Sequence, residues 1–298
     1  MEPVLVTGTS SGIGRAITES LSEAGSPVYA TVRRRKDFDS LRALPKVSPI
    51  IMDVTKPDQI RRGVAQIRRA GRGLYGVVNN AAIIDCWPMV ELKEEELRLS
   101  FEVNVLGAQR VVLETVPLLA ESHGRIVNIS SLEGFVTTKF AGPYEMSKFA
   151  LEAYSDDPRR ELQDYGVSVV VVEPGGFKSD YAKTAAKLLA RRARARRPIL
   201  MKKEVAEMAK IWRDELSDVE RRASPSLVAD AVREALFSEK PKNRYVVTAT
   251  EAEFHWAMDE LMSKLIEVNR GSDYALSKED VHALLDRMWA GSQSLATS

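Results

Sequence analysis

The chain has 298 residues, of which 44% are hydrophobic, and this is enough to bury one continuous core. Its formal net charge of +1 gives no field over the whole molecule that would attract DNA or an anionic membrane. The one cysteine, Cys86, excludes an internal disulfide. We therefore expect a cytoplasmic protein without a secretory signal or an integral membrane segment.

Short apolar runs alternate with longer amphipathic stretches. The runs have the length of strands and lack clean alternation of apolar and polar residues, which is typical of strands buried on both faces of a parallel sheet. Helix-sized stretches between them predict an α/β fold with a doubly wound sheet. The predicted strands are Val4–Thr7, Val28–Val32, Val47–Met52, Gly76–Asn79, Arg125–Ile129, Val167–Val172 and Tyr245–Thr248. The predicted helices are Ile13–Ala24, Lys56–Arg69, Glu91–Glu121, Tyr144–Tyr165 and Ser226–Phe237.

The alternation breaks after the sixth predicted strand. Residues 181–223 are helix-prone and dense in charge, and we interpret them as an insertion in a single domain of residues 1–250. Residues 251–298 contain apolar side chains spaced as one helix stripe. We expect this C-terminal extension to pack on the same domain.

The first strand runs directly into a glycine-rich turn, Thr7–Gly14, and a helix follows. Glycine permits a tight turn and lets backbone N–H groups approach a pyrophosphate, which the positive end of the helix dipole stabilises. This context favours a dinucleotide site over a purely structural turn. The residues predicted to line it are Gly8, Ser10, Ser11, Gly12, Ile13 and Gly14.

The end of the second strand indicates which dinucleotide binds. NAD-binding proteins usually carry an acidic residue there for the ribose hydroxyl, whereas this chain has Arg33 and Arg34. Guanidinium groups grip a 2′-phosphate through charge-assisted hydrogen bonds, so we predict NADP(H), with Arg33 as the main clamp and Arg34 or Arg15 assisting. The alternative is a solvated cationic loop in which Asp37 folds back onto the ribose.

Asp53 and Val54 follow the third strand, on the side of the sheet where the adenine would lie. The Asp53 carboxylate could accept a hydrogen bond from the adenine amino group. It could equally cap the next helix, and the sequence leaves both interpretations open.

Tyr144 and Lys148 stand four residues apart, which puts them on one face of a helix. A phenol has a pKa of about 10, but an adjacent ammonium group and an oxidised nicotinamide favour phenolate and lower that pKa. The pair would then be a usable general acid and base. Because such pairs are also common on ordinary helix surfaces, this pair carries weight only together with other motifs.

Six motifs follow one another in order: Thr7–Gly14, Asn79 to Ala82, Asn104, Ser131, Tyr144 with Lys148, and Pro174–Ser179. Together they resemble the short-chain dehydrogenase/reductase family, nearest the branch of the 17β-hydroxysteroid and retinol dehydrogenases. The resemblance implies a Rossmann-type fold and an NADP(H)-dependent enzyme that interconverts a carbonyl and an alcohol. It also implies a hydrophobic, steroid-, retinoid- or lipid-like substrate, or a bulky ketone.

The same resemblance implies a role for each matched residue. Tyr144 would transfer the proton, Ser131 would hydrogen bond the substrate oxygen, and Lys148 would hold the nicotinamide ribose. Asn104 would hold a water molecule that links Lys148 to solvent. The implied cofactor contacts are Asn80 and Ala81 beside the adenosine, and Pro174, Gly175, Phe177 and Ser179 beside the nicotinamide. In this family the helix that begins near Tyr144 commonly forms a homodimer interface, and Pro158 inside it puts that interface in question.

The insertion carries a run of arginines from Arg191 to Arg197. We expect it to be the solvated face of a helical lid over the substrate cleft, with a grip on an anionic substrate tail as the alternative. Nucleic acid is least favoured, because no aromatic residues interleave with the arginines. The residues expected on the apolar underside are Leu188, Leu189, Ile199, Leu200, Met201, Met208 and Ile211. The histidines lack metal-ligand spacing, so we predict no metal site.

Two other classes of function compete with the enzyme. One is a regulator or sensor that binds NADP(H) without turnover, but it would not need the proton-transfer set of Asn104, Ser131, Tyr144 and Lys148. The other has the arginine-rich lid docking a carrier protein or a membrane surface, through binding that salt would weaken.

Overall fold

The computed structural model describes residues 1–179, 181–195, 198, 200–218 and 222–297. Arg196, Arg197 and Ile199, which we predicted to belong to the lid, lie outside these residues. Within the described part, seven strands form one parallel sheet. The strands are β1 Val4–Val6, β2 Val28–Val32, β3 Val47–Ile51, β4 Gly76–Asn79, β5 Arg125–Ile129, β6 Ser168–Pro174 and β7 Arg244–Val247.

Helices cover both faces of the sheet. The helices of the described residues are α1 Gly12–Glu23, α2 Arg35–Arg42, α3 Pro57–Ala70, α4 Glu94–Asn104, α5 Leu106–Ser122, α6 Gly142–Glu161, α7 Tyr181–Ala195, α8 Lys202–Asp218, α9 Ser226–Phe237, α10 Glu251–Arg270 and α11 Lys278–Thr297. Short 3₁₀ turns lie at Met89–Glu91, Leu132–Gly134 and Gln163–Tyr165.

The sheet order is β3-β2-β1-β4-β5-β6-β7, so the direction of winding reverses between β1 and β4. In sheets of this kind, ligands bind at such a switch point, outside the carboxyl ends of the strands. The predicted doubly wound, Rossmann-type fold is therefore confirmed. Each predicted strand also agrees with the observed one to within two residues at either end.

The core lies on both faces of the sheet, and β1 shows how. Val4 and Val6 point into one cluster, which includes side chains of α1 and α9, whereas Leu5 points into a second cluster that includes side chains of α3 and α5. A strand that is buried on both faces has no polar side to alternate with its apolar side. This explains the nearly continuous apolar runs in the sequence.

Two helical features differ from the prediction. The charged segment Arg35–Arg42 forms α2, which hydrophobic spacing did not indicate because only Phe38 and Leu41 turn towards the core. The predicted helix Glu91–Glu121 is divided at Val105, whose φ of −112° and ψ of −64° separate α4 from α5. Asn104 ends α4 at this break.

By length and composition alone, the stretch Glu94–Ser122 could cross a membrane, with a mean hydropathy of 1.2 over its most apolar window. The same stretch supplies core side chains such as Val111 and Leu119. Core helices commonly meet this criterion, so it is weak evidence for a membrane span.

Pro158 lies inside α6, which continues without interruption from Gly142 to Glu161. The missing N–H of Pro158 affects only the last turns of the helix. Tyr144 and Lys148 lie in its first two turns and keep helical geometry.

The chain divides into two compact units, one ending at Glu253 and the other beginning at Phe254. In the second unit, the Asn269 side chain bonds both the N–H and the carbonyl of Leu276, and this fixes the connection between α10 and α11. The predicted packing of the extension on the main domain stays a prediction.

Candidate active site

The turn after β1 has the backbone geometry that its glycines predicted. Gly8 and Gly12 have φ of 71° and 57°, in the left-handed region that favours glycine. A side chain on Gly14 would overlap the carbonyl oxygen of Gly8 and the amide of Asn80. The chain can therefore fold back tightly only with glycine at these positions.

The N-terminus of α1 closes this turn. Its first N–H groups have no acceptor within the helix, and the side chain of Ser11, the residue that precedes the helix, does not cap them. Ser10 and Ser11 are exposed beside them, and the first turn carries no acidic residue. A helix end with free donors and no negative charge fits a pyrophosphate.

Asn80 holds the turn against β4. Its side-chain amide donates to the carbonyl oxygens of Thr7 (2.9 Å) and Gly8 (3.1 Å), and the Thr7 hydroxyl accepts from the N–H groups of Asn80 and Ala81. Asn80 and Ala81 thus position the turn from the neighbouring strand, and Ile13 packs against the core beneath it.

The two predicted arginines differ in their surroundings. Arg34 forms a two-point ion pair with Asp37, with distances of 2.7 and 3.2 Å. Arg33 is exposed at the carboxyl end of β2 and forms no ion pair with any residue the structure describes. Arg15 is bound to Glu19 and reaches Ser40. Arg33 is therefore the guanidinium group that a ligand phosphate can engage without displacing a partner.

Asp53 shapes the turn after β3. Its Oδ1 accepts from the N–H and the hydroxyl of Thr55, at 2.9 and 2.8 Å, and so closes a local turn. The N-cap residue of α3 is Lys56 and not Asp53. Val54 is buried and packs against Gly107 of α5. The helix-capping alternative is thus not observed, and Oδ2 is the oxygen left for adenine.

The segment after β6 borders the glycine turn. A side chain on Gly12 would lie 3.1 Å from Cβ of Ser179. The carboxylate of Glu253 accepts from the N–H of Gly176 at 2.7 Å, and the N–H of Gly175 bonds the carbonyl of Val247. The side chain of Phe177 belongs to the core cluster beneath α9, and its predicted contact with the cofactor stays a prediction.

Ser131, Tyr144 and Lys148 meet where β5 ends and α6 begins. The hydroxyl of Ser131 hydrogen bonds the phenol of Tyr144. Nζ of Lys148 donates to the carbonyl of Ile129 at 2.7 Å and lies 5.5 Å from the centre of the Tyr144 ring. All three side chains are at least nine-tenths buried. The three residues are therefore brought together as predicted.

The electrostatics of this group differ from the prediction. Burial raises the pKa of Tyr144, the charge of Glu133 adds to the rise, and the bond from Ser131 opposes it. Burial also lowers the pKa of Lys148, to about 7. Burial thus disfavours the charged form of Lys148, and the lysine does not lower the pKa of Tyr144 as we expected. Tyr144 is therefore a neutral phenol that can donate a proton.

Asn104 is held on three sides. Its side chain accepts from the N–H of Ile83 and donates to the carbonyl of Ile83 and to the hydroxyl of Ser147, all at 2.8 to 2.9 Å. It ties the end of α4 to the segment after β4 and to α6. The predicted water relay through Asn104 stays a prediction.

The inserted helices α7 and α8 close over Tyr144. Its side chain belongs to an apolar cluster with side chains from the segment after β4 and from both lid helices. The buried members are Ile84, Cys86, Trp87, Tyr144, Ala185, Leu189, Val205 and Met208. Leu189 and Met208 are thus on the underside as predicted, whereas Leu200 and Ile211 are exposed. Cys86 and Trp87 lie directly beneath the lid.

Arg192 corrects our interpretation of the arginine run. Arg191 and Arg194 are exposed as expected, but Arg192 turns inward and pairs through two nitrogens with Asp85, and through Nε with Glu96 at 2.6 Å. Burial raises the pKa of Asp85, and Arg192 counteracts this. Neighbouring residues such as Arg191 and Arg192 point to different sides of a helix. A run of consecutive arginines therefore cannot form a single solvated face.

A second contact holds the lid. One carboxylate oxygen of Glu91 accepts from the backbone N–H groups of Leu200 and Met201, at 2.9 and 2.7 Å. Asp85 and Glu91 belong to the connection between β4 and α4, and Glu96 belongs to the first turn of α4. This connection is therefore the part of the main fold that holds the lid closed.

Fold and site together define a dinucleotide-dependent oxidoreductase, because the glycine turn at the switch point adjoins a buried tyrosine, lysine and serine. The family model described as short chain dehydrogenase matches residues 2–189, and the chain belongs to that family.

Relatives of known activity are similar over most of the chain. 17-beta-hydroxysteroid dehydrogenase type 6 and retinol dehydrogenase 7, both of Rattus norvegicus, are each 32% identical, over 81% of this chain and 79% of theirs. NADPH-dependent 3-dehydrocapnine reductase of Ornithobacterium rhinotracheale is 31% identical, over 90% of this chain and 95% of its own. A short-chain dehydrogenase from Streptomyces avermitilis has a similar structure, with a TM-score of 0.70, 28% identity and coverage of 91% of this chain and 96% of its own. The predicted family and branch are thereby confirmed.

Proposed function

We propose that this enzyme is an NADP(H)-dependent reductase of hydrophobic or bulky ketones that also oxidises the corresponding alcohols. The observation that carries the proposal is the Tyr144 phenol, hydrogen bonded by Ser131 and enclosed by an apolar lid. A neutral phenol beside a serine hydroxyl is suited to protonate a carbonyl oxygen. The enclosure excludes water from that step.

The residues for NADP(H) fit the cofactor. The helix end after the glycine turn would hold the pyrophosphate, Arg33 would hold the 2′-phosphate, and Lys148 would hold the nicotinamide ribose. When bound, the nicotinamide supplies the hydride. The NADPH-dependent reductase among the relatives supports this choice over NAD.

In reduction, Tyr144 donates its proton to the substrate oxygen. Ser131 donates a hydrogen bond to the same oxygen and stabilises the negative charge that develops on it. Because burial raises the pKa of Tyr144, the proton is in place at neutral pH. The reduction direction is therefore favoured over alcohol oxidation, which needs the phenolate.

The underside of the lid indicates an apolar substrate. Leu189, Val205 and Met208 face Trp87 above Tyr144 and would pack against hydrocarbon. The hydroxysteroid and retinol dehydrogenases among the relatives support a large hydrophobic alcohol or ketone.

The test measures NADPH and NADH oxidation with steroid ketones, retinal and long-chain ketones, for the wild type and for Tyr144→Phe. We expect turnover with NADPH and a loss of at least about 100-fold in kcat in the variant, with unchanged NADPH affinity. Tight NADPH binding without turnover of any carbonyl or alcohol would instead support a sensor. Full activity in Tyr144→Phe would overturn the assigned role.

A further inference from the structure

Two carboxylic acids lie beside the predicted catalytic residues, and the resemblance to the family assigns neither of them a role. Glu133 follows Ser131 by two residues, and Glu145 follows Tyr144 directly. Both reach the hydroxyl of Thr138, whose Oγ1 lies 2.8 Å from Oε1 of Glu145 and 3.3 Å from Oε1 of Glu133. The two acids are therefore linked through one hydroxyl group.

Both carboxyl groups can hydrogen bond the Thr138 hydroxyl at once only if one of the two acids is protonated. The Thr138 hydroxyl has one hydrogen and can donate to only one carboxylate. Glu145, which is 4% exposed, already accepts from the backbone N–H of Thr138, so it is the better placed of the two acids to accept from the hydroxyl as well. The Thr138 hydroxyl oxygen then forms a hydrogen bond with Glu133 when the Glu133 carboxyl group is protonated and donates to it.

The electrostatics agree with this assignment. Burial, and then the charge of Glu145, raise the pKa of Glu133 to about 7, while the bond with Thr138 and the charge of Lys148 oppose the rise. Carboxyl groups this close do not both ionise readily. Near neutral pH, Glu133 is therefore poised between its two protonation states.

Glu133 is also connected to Tyr144. Its backbone N–H donates to Oγ of Ser131 at 3.2 Å, and the same hydroxyl bonds the Tyr144 phenol. Its carboxyl group acts electrostatically on Tyr144 and Lys148 of α6 and on the thiol of Cys86. A negative charge at this position opposes the loss of a proton from the phenol.

We propose that Glu133 is a positioning residue that keeps Tyr144 in its protonated form, and so extends ketone reduction to higher pH. The proposal rests on the role of Tyr144 in the proposed function. In oxidation, the phenolate of Tyr144 must accept the alcohol proton, and an ionised Glu133 beside it disfavours that phenolate. In reduction, the Tyr144 phenol donates its proton, and the charge of Glu133 keeps that proton in place until it is transferred.

The first test compares Glu133→Gln with the wild type in the pH profile of kcat/KM for alcohol oxidation with NADP⁺. Glutamine has the shape and hydrogen-bonding groups of a protonated glutamate, so we expect the variant to fold. The pH at which oxidation stops rising should be about one unit lower in the variant, because no negative charge then opposes the loss of the Tyr144 proton. Reduction should begin to fall at a correspondingly lower pH.

Glu94→Gln is the matched control, because Glu94 is an exposed carboxylate in the first turn of α4. Its profile should coincide with that of the wild type. If the Glu133→Gln profile also coincides with the wild type in both directions, the proposal is wrong.

A second test needs no turnover and separates this inference from the proposed function. A carboxyl group whose pKa is raised on folding from 4.5 to about 7 adds stability at low pH and loses it as the pH rises through that range. In urea unfolding, the wild type should be more stable relative to Glu133→Gln at pH 5 than at pH 8. A constant difference between the two proteins would overturn the proposal even if the enzyme's substrate remained unidentified.

Discussion

Arg33 is a single exposed side chain on which we expect the choice of cofactor to depend. Its neighbour Arg34 is already bound to Asp37, so only Arg33 can meet a 2′-phosphate without breaking an ion pair that the structure describes. The alternative in which Asp37 folds back onto a ribose would first require Arg34 to release it. We therefore expect this one side chain to decide between NADP(H) and NAD(H).

We expect Arg33→Ala to weaken NADPH binding by about 10- to 100-fold, because one charge-assisted contact to phosphate is lost. NADH binding should change little. Dissociation constants from fluorescence titration of both cofactors measure this. Arg35→Ala is the control, since Arg35 is exposed on the same segment and lies over Phe38. An equal effect of Arg33→Ala on NADPH and NADH would contradict the assignment.

At the scale of elements, the lid is the feature that controls access to Tyr144. Helices α7 and α8 bury the phenol, and the ion pair of Arg192 with Asp85 and Glu96 joins α7 to the main fold. On the proposed function, we expect these contacts to separate before a ketone reaches Tyr144. Such opening steps often limit turnover in enzymes with lids.

Cys86 reports on this opening because it is the only cysteine of the chain and lies buried beneath the lid. Arg192→Met leaves Asp85 buried without its partner, at a cost of about 3–5 kcal/mol to the closed state. We therefore expect a neutral maleimide to modify Cys86 faster in the variant. The loss of the Arg192 charge by itself raises the pKa of the Cys86 thiol and slows its reaction with maleimide. Faster labelling in the variant would therefore report opening of the lid.

The matched control for the lid is Arg191→Met, which removes an exposed arginine of the same helix. Its labelling rate should equal that of the wild type. A rate in Arg192→Met that is unchanged or slower would show that the ion pair does not hold the lid.

At the scale of the whole molecule, a buried charge cluster ties α6 to the edge of the sheet. Arg244 of β7 pairs with Glu152 and Asp156 of α6 and with Glu173 of β6. Arg159 also pairs with Asp156, so two arginines face three carboxylates. Burial, and repulsion from Asp156, raise the pKa of Glu173 to about 7, although Arg159 opposes this.

This cluster makes the stability of the fold depend on pH. Because the pKa of Glu173 is raised on folding, its contribution is present below about 4.5 and is lost as the pH rises through about 7. Compared with Glu173→Gln, the wild type should lose about 2 kcal/mol in free energy of unfolding between pH 5 and pH 8. Urea denaturation at both pH values measures this. A gain in relative stability would mean that Arg244 keeps Glu173 ionised.

Two expectations for the whole molecule stay predictions, namely a cytoplasmic location and a homodimer. The homodimer prediction was questioned because of Pro158, but α6 is continuous through that residue. Pro158 is therefore no reason to doubt that α6 can form the interface. Sedimentation or light scattering would determine the oligomeric state.

Several properties were predictable from the sequence because they depend on local spacing. The strands, the turn at Thr7–Gly14 and the shared helix face of Tyr144 and Lys148 follow from neighbouring residues alone. Glu145 lies between Tyr144 and Lys148, and Glu133 lies two residues after Ser131, yet nothing local showed that the two acids meet at Thr138. A helix as polar as α2 also left too weak an apolar pattern to be predicted.

Only the tertiary structure decided the inward turn of Arg192, the burial of Phe177 and the direction of the pKa shift of Tyr144. Each depends on contacts between residues far apart in the chain, such as the pair of Arg192 with Asp85. Spacing predicts which residue types recur on a helix or strand, but desolvation and charge pairing are set by what the fold packs against them. The sequence alone therefore determined the fold and the residues of the site, and the tertiary contacts determined their protonation and access.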